Sequence, residues 1–306
     1  MKERTGKQRE LIAGCLCAIG CETLYGFSSV FTKKATETAG TLALLGWRFL
    51  IAAAIMGVCA LFGSIKIKLK GKSLRPLLLV ALFSPVIYFI GETAGIALTT
   101  ASESGAFLAC IPVASISASA LLLKKKPTRV QVTGILITLT GVLITIFVVG
   151  ATSSLSFTGY LFLLAAVISY ALYCVSVEKA SGFSGAEITY VMLTAGAAVF
   201  VVLALTEAAI KGNLRELITL PLRNRDFLYA ILYQGIGCSI IAFFLSNVAI
   251  SKIGVNRASS FIGVATVISI TAGALILREP FTPFQIAGAA VIIAGVYIAN
   301  AEPLSG

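Results

Sequence analysis

The sequence contains no histidine and a single aspartate, Asp226. Without histidine there is no serine–histidine nucleophile, no histidine-based metal site and no imidazole to shuttle protons near neutral pH. One aspartate cannot form an aspartyl dyad, which excludes the remaining common intramembrane protease chemistry. Charge is scarce as well: 12% of the 306 residues are Asp, Glu, Lys or Arg, against about 25% in soluble domains. That leaves too few polar side chains to coat a water-facing surface. The seven cysteines include no Cys-x-x-Cys pair, so they read as small packing residues and not as a disulfide framework or zinc site. Gly71-Lys72-Ser73 looks like the end of a phosphate-binding loop, but Lys66 stands where that loop needs its first glycine. An ATP-driven pump therefore lacks its nucleotide site, and no metal or cofactor is expected.

What is abundant is apolar sequence. Hydrophobic residues make up 58% of the chain and the mean hydropathy is +0.98. A membrane-spanning helix needs about 20 apolar residues. Apolar runs fall near 11–33, 41–63, 75–98, 102–123, 129–149, 157–178, 187–209, 226–248, 257–277 and 283–300. The expected fold is therefore all-α and integral to the membrane, with ten transmembrane helices. Ile12-Ala13-Gly14-Cys15 has the form of a lipoprotein cleavage box, yet it follows the charged leader too closely to leave a signal-peptide core. The first run is expected to stay as a helix.

The net charge of +11 fits membrane orientation better than nucleic-acid binding, because the basic residues cluster between apolar runs. With the N-terminus inside, sixteen Lys and Arg fall on the cytoplasmic side and seven outside. The bias favours N-in and, with an even helix count, C-in. Four of the seven outer charges lie in one loop, 210–225, which is expected to form a short helix on the membrane surface.

The two halves resemble each other. Phe107–Ile144 aligns without gaps to Phe261–Ile298, pairing Ser115 with Ser269, Thr128 with Thr282, Gln131 with Gln285, Gly134 with Gly288 and Gly141 with Gly295. Apolar composition alone does not place Thr, Gln and Gly in register. Gly14–Ala35 aligns more weakly to Gly159–Ala180, sharing Tyr25 with Tyr170 and Lys34 with Lys179. The organisation read from this is a cytoplasmic leader (1–10), a five-helix repeat (11–149), an external linker (150–156), a second five-helix repeat (157–300) and a cytoplasmic tail (301–306). An odd number of spans per repeat makes the two repeats inverted. Inverted repeats are typical of secondary transporters, with a binding site near the midplane between them.

Several motifs then line up in order. Tyr25-Gly26-Phe27-Ser28 precedes Lys33-Lys34, Trp47-Arg48-Phe49-Leu50 opens the second run, and Ser102 leads through small residues to Pro112-Val113. Leu277-Arg278-Glu279-Pro280-Phe281-Thr282 is followed by Gln285 and Gly288. Together they resemble the EamA-type members of the drug/metabolite transporter superfamily along essentially the whole chain. Lys125 and Thr266 depart from the pattern, which has Glu at the first position and often Pro at the second. The resemblance implies ten helices, N-in and C-in, around a central cavity, and export or import of metabolites without ATP hydrolysis. It also makes Arg48 a scaffold position.

Glu22 lies near the middle of the first run, where a carboxylate should face a cavity or a partner because burying a charge in lipid is costly. Tyr25 and Ser29 follow at i+3 and i+7, giving that helix one polar face. Glu92 shares a face with Pro85 and Tyr88, and it can pair with Arg48 or meet substrate. Tyr170, Tyr173, Tyr233 and Gln234 are candidates to line the same cavity. Pro112, with Ser115 and Ser119, gives the fourth run a small polar face and a local break. Substrate binding is thus assigned to Glu22, Tyr25, Tyr88, Glu92, Pro112, Tyr170, Tyr173, Tyr233 and Gln234, and proton coupling to Glu22 and Glu92. Carboxylates among tyrosines suit an organic cation. The expected function is secondary active transport of a cationic or zwitterionic metabolite across the cytoplasmic membrane. A proton or sodium ion is the candidate coupling ion, and the carrier is read as a monomer or homodimer. A lipid flippase or a channel-like facilitator of the same fold is the alternative.

Overall fold

A computed structural model describes residues 2–36, 39–69, 71–98, 107–108, 110–147, 156–276 and 283–300. Ser102, the 277–282 motif, most of the 150–156 linker and the 301–306 tail lie outside the described residues. Among the described residues the structure is helical with no strand. That follows from composition: in lipid each backbone N–H and C=O must be satisfied within its own segment or a closed barrel.

In chain order the helices are α1 (Lys2–Thr36), α2 (Thr41–Leu61), α3 (Arg75–Ala81), a π-helical turn (Leu82–Ile87), α4 (Tyr88–Leu98), α5 (Ile111–Leu122) and α6 (Arg129–Phe147). Then come α7 (Phe157–Lys179), α8 (Gly185–Ile210), α9 (Leu214–Arg223), α10 (Arg225–Leu232), a second π-helical stretch (Tyr233–Ala242), α11 (Phe243–Ser260), α12 (Ile262–Ile276) and α13 (Pro283–Asn300). Among the described residues, six helical stretches are long and apolar enough to cross a membrane, with shorter apolar helices beside them.

Two details differ from the apolar runs. Helix α1 begins at Lys2, so the charged leader is part of the first helix. The eighth run does not end at 248: helix continues from Arg225 to Ser260, interrupted at Gly254, where φ is 75° and ψ is 167°. A side chain is rarely tolerated at such a φ, and glycine permits it. Pro112 sits in the first turn of α5, where its missing N–H costs nothing. Residues 107 and 108 are also helical and Cys110 is a turn, so the proline stands at the local break expected in the fourth run.

Outward faces carry exposed Leu78, Leu136, Ile168, Val202 and Ile293, a surface suited to lipid. The interior is aromatic. Phe49 stacks on Phe200 at 5.1 Å and meets Phe89 edge-on at 5.6 Å, and Tyr173, Met192 and Leu193 complete the same cluster. Small residues allow the closest helix approaches. Helix α6 packs extensively on α13, and a Cβ on Gly141 would lie 2.8 Å from both the Gly288 oxygen and the Ile292 nitrogen. The 210–225 loop does contain a short helix, α9, which exposes Leu214, Ile218 and Leu222 at four-residue steps. Trp47 Nε1 donates to its Leu217 carbonyl at 3.0 Å.

Candidate functional site

Helices α1, α7 and α11 line a small cavity through Ala18, Cys21, Glu22, Tyr170, Cys174 and Ser246, with Ala249, Ile250, Ala258 and Ser259 completing it. Residues 18, 21 and 22 share a face of α1, as 170 and 174 do on α7, through the i+3 and i+4 geometry of a helix. Glu22 is 6% exposed and makes no hydrogen bond or ion pair with another described residue. The space open to a water centre is about 10 Å³, room for about one water. The space as it stands is too small for a metabolite.

A buried cation sits in the same bundle. Arg48 is 5% exposed; its Nε donates to Ser239 Oγ at 2.6 Å, and its guanidinium lies over the Phe89 and Phe49 rings at 4.9 and 5.5 Å. Ring faces attract a desolvated guanidinium. Glu92 and Arg48 form no ion pair within 4.0 Å: Glu92 instead accepts from the Tyr88 hydroxyl at 2.8 Å, one turn away. Tyr88 approaches Tyr170 at 5.4 Å between ring centres, which places the Tyr88–Glu92 pair next to the cavity wall.

A sequence model of the EamA-like transporter family matches residues 12–147 and again 157–301. The chain belongs to that family. Curated relatives of this EamA-like transporter include the Uncharacterized transporter YcxC of Bacillus subtilis, 32% identical over 93% of this chain and 92% of its own length. Uncharacterized transporter YetK of the same organism is 27% identical over 90% and 83%. An Uncharacterized transporter of Archaeoglobus fulgidus is 22% identical over 90% and 94%. A protein of known crystal structure has the same fold, with a TM-score of 0.76 and 17% identity over 94% of this chain and 97% of its own. The molecule is thus a multi-pass membrane transporter, surrounded by lipid and acting on a small-molecule substrate.

In this EamA-like transporter the expected site residues separate into distinct groups. Glu22 and Tyr170 line the cavity. Tyr25 packs beside it against Phe243, with ring centres 6.3 Å apart. Tyr173 belongs to a buried network: its hydroxyl donates to Asn247 Oδ1 at 2.8 Å and contacts Ser246 Oγ at 3.2 Å. Asn247 Nδ2 then donates to Thr189 Oγ1 at 3.0 Å. Tyr233 and Gln234 hold the second π-helical stretch onto α1, through Tyr233 to the Leu24 carbonyl at 2.8 Å and Gln234 to Thr32 Oγ1 at 2.6 Å. Tyr233 also stacks on Phe31 at 4.2 Å. Neither they nor Pro112 line the cavity. The sequence reading missed Cys21, Cys174, Ser246 and Ser259 as cavity-wall residues. Only the polar residues Ser246-Asn247 within an apolar run signalled part of this.

Proposed function

We propose that this transporter is a secondary active carrier that moves a zwitterionic or cationic small metabolite across the cytoplasmic membrane by alternating access. Glu22 meets the solute's positive group and carries a coupling proton or sodium ion when one is used. The single observation that carries this reading is a deeply buried carboxylate with no described partner, facing a small cavity between helices. Retaining an unpaired ionisable group inside a membrane bundle is costly, and a cationic guest offsets that cost. Arg48 is buried without a carboxylate partner among the described residues, and it supplies a complementary anchor for a solute carboxylate. Two interior charges of opposite sign favour a zwitterion over a simple amine.

The proposed frame is ten helices in two inverted repeats, N-in and C-in. The two family matches, which fall on either side of residues 148–156, support the repeat. The test is a thermal-shift screen of the purified protein against amines, amino acids and anionic metabolites at several pH values, since a ligand that binds only the folded state raises its melting temperature. Stabilisation by a zwitterion or cation that disappears in Glu22→Gln is expected. Stabilisation by neutral or anionic solutes alone, unchanged in that variant, would remove Glu22 from the site.

A further inference from the structure

Helix α7 presents Tyr170, Cys174 and Glu178 at four-residue steps, so the three share one face. The first two line the cavity beside Glu22. Glu178 lies one turn further along, its side chain only 11% exposed. There it joins two distant parts of the chain. Its carboxylate pairs with Lys125 Nζ just beyond α5 and accepts the Val255 N–H at 2.8 Å. The Asn256 side-chain amide adds a contact to the Lys125 carbonyl at 3.5 Å. Val255 directly follows Gly254, the break in α11. A helix restarting after a break has N–H groups without intrahelical acceptors, and its positive end favours a carboxylate. Glu178 meets both needs. Before the break lie Ser246, Ala249 and Ile250 of the cavity wall; after it lie Ala258 and Ser259.

We infer that Glu178 is a gating residue of this carrier. Its contacts with Lys125 and Val255 hold the Gly254 hinge closed under the Glu22 cavity, and they break and re-form in each transport cycle. The gate faces the end that carries Lys124, Lys126, Lys179, Lys252 and Arg257, the end the charge bias assigns to the cytoplasm. Lys125 stands where the EamA pattern has Glu. A glutamate there would repel Glu178, so this chain's departure from the pattern creates the ion pair.

The gate's part in transport rests on reading the Glu22 cavity as the solute site, but its test needs no solute. Cys21 and Cys174 wall the cavity and are buried, which makes them native reporters of opening. A charged, membrane-impermeant maleimide is added to inside-out vesicles holding the full chain, and modified peptides are quantified by mass spectrometry. Glu178→Gln keeps an oxygen for the Val255 N–H but loses the ion pair; labelling of Cys174 should accelerate roughly two- to fivefold, the range set by a partly exposed ion pair. Lys125→Gln, a change at an exposed side chain, should do the same, and right-side-out vesicles should show no increase. Equal rates in wild type and both variants would overturn the gate. So would an increase from the outer face, or an equal increase at Cys59, which reports general loosening. A screen in which Glu22→Gln changes nothing removes the solute site and leaves the labelling result standing.

Discussion

Tyr88 donates its hydroxyl hydrogen to Glu92 at 2.8 Å, one helical turn away, and that bond sets the two candidate carboxylates apart by their surroundings. Glu92 has a partner on its own helix. Glu22, 6% exposed on the cavity wall, has none among the described residues. A partnered acid can be structural, whereas an unpartnered one inside a bundle calls for a guest.

Glu22→Gln should therefore act on transport and not on folding. Hydrogen bonds to charged groups contribute about 1.5–3 kcal/mol, so solute affinity should fall roughly 10- to 100-fold. The melting temperature without solute should stay level or rise, because glutamine keeps the side chain's size and places no ionisable group in the buried wall. Binding and melting curves on one preparation check both parts; an unchanged affinity would count against the solute site.

Arg48→Gln should separate zwitterions from simple cations. If Arg48 receives a solute carboxylate, stabilisation by an amino acid should drop about tenfold or more in apparent affinity, and stabilisation by the matching amine should be retained. Loss of both in parallel would show that the guanidinium, held by Ser239 at 2.6 Å, acts only as scaffold.

Tyr173→Phe should behave oppositely to Glu22→Gln. It leaves the fully buried Asn247 short of the donor now 2.8 Å from its Oδ1, at a cost of about 1–3 kcal/mol. A lower melting temperature with unchanged solute affinity is the expected pair of results. Selective loss of affinity would instead return Tyr173 to the binding site.

Gly141→Ala should loosen the α6–α13 contact, since the added Cβ would meet the Gly288 and Ile292 backbone at 2.8 Å. Backbone cannot rotate out of the way as a flexible side chain can, and overpacking of this kind costs about 1–3 kcal/mol. Faster hydrogen exchange confined to α6 and α13 would show the contact is local to that pair. Unchanged exchange there would show that the helices shift apart without loss.

How much of the site was legible depended on what each residue needed. Glu22 and Glu92 were visible because a lone carboxylate in an apolar run is conspicuous, and the short helix α9 was visible in its charged, amphipathic loop. Tyr170 and Tyr173 looked equivalent along the sequence. They differ because residues three apart on a helix point about 60° away from each other, so Tyr170 reaches the cavity while Tyr173 meets Asn247, 74 residues further on. Tyr233 and Gln234 looked like cavity residues for their polarity, yet their partners, Leu24 and Thr32, lie on α1. Glu178 went unremarked at the end of its run, where a charge is ordinary.

From sequence alone came the membrane setting, the all-helical class, the family and the two candidate acids inside apolar runs, Glu22 and Glu92. Those properties depend on composition and local spacing, which the lipid environment converts directly into helices. Tertiary structure decided which polar residues are satisfied across helices: Tyr173 by Asn247, Gln234 by Thr32, Glu178 by Lys125 and Val255. Satisfaction depends on partners that are mostly far along the chain and come within hydrogen-bond reach only when the helices pack.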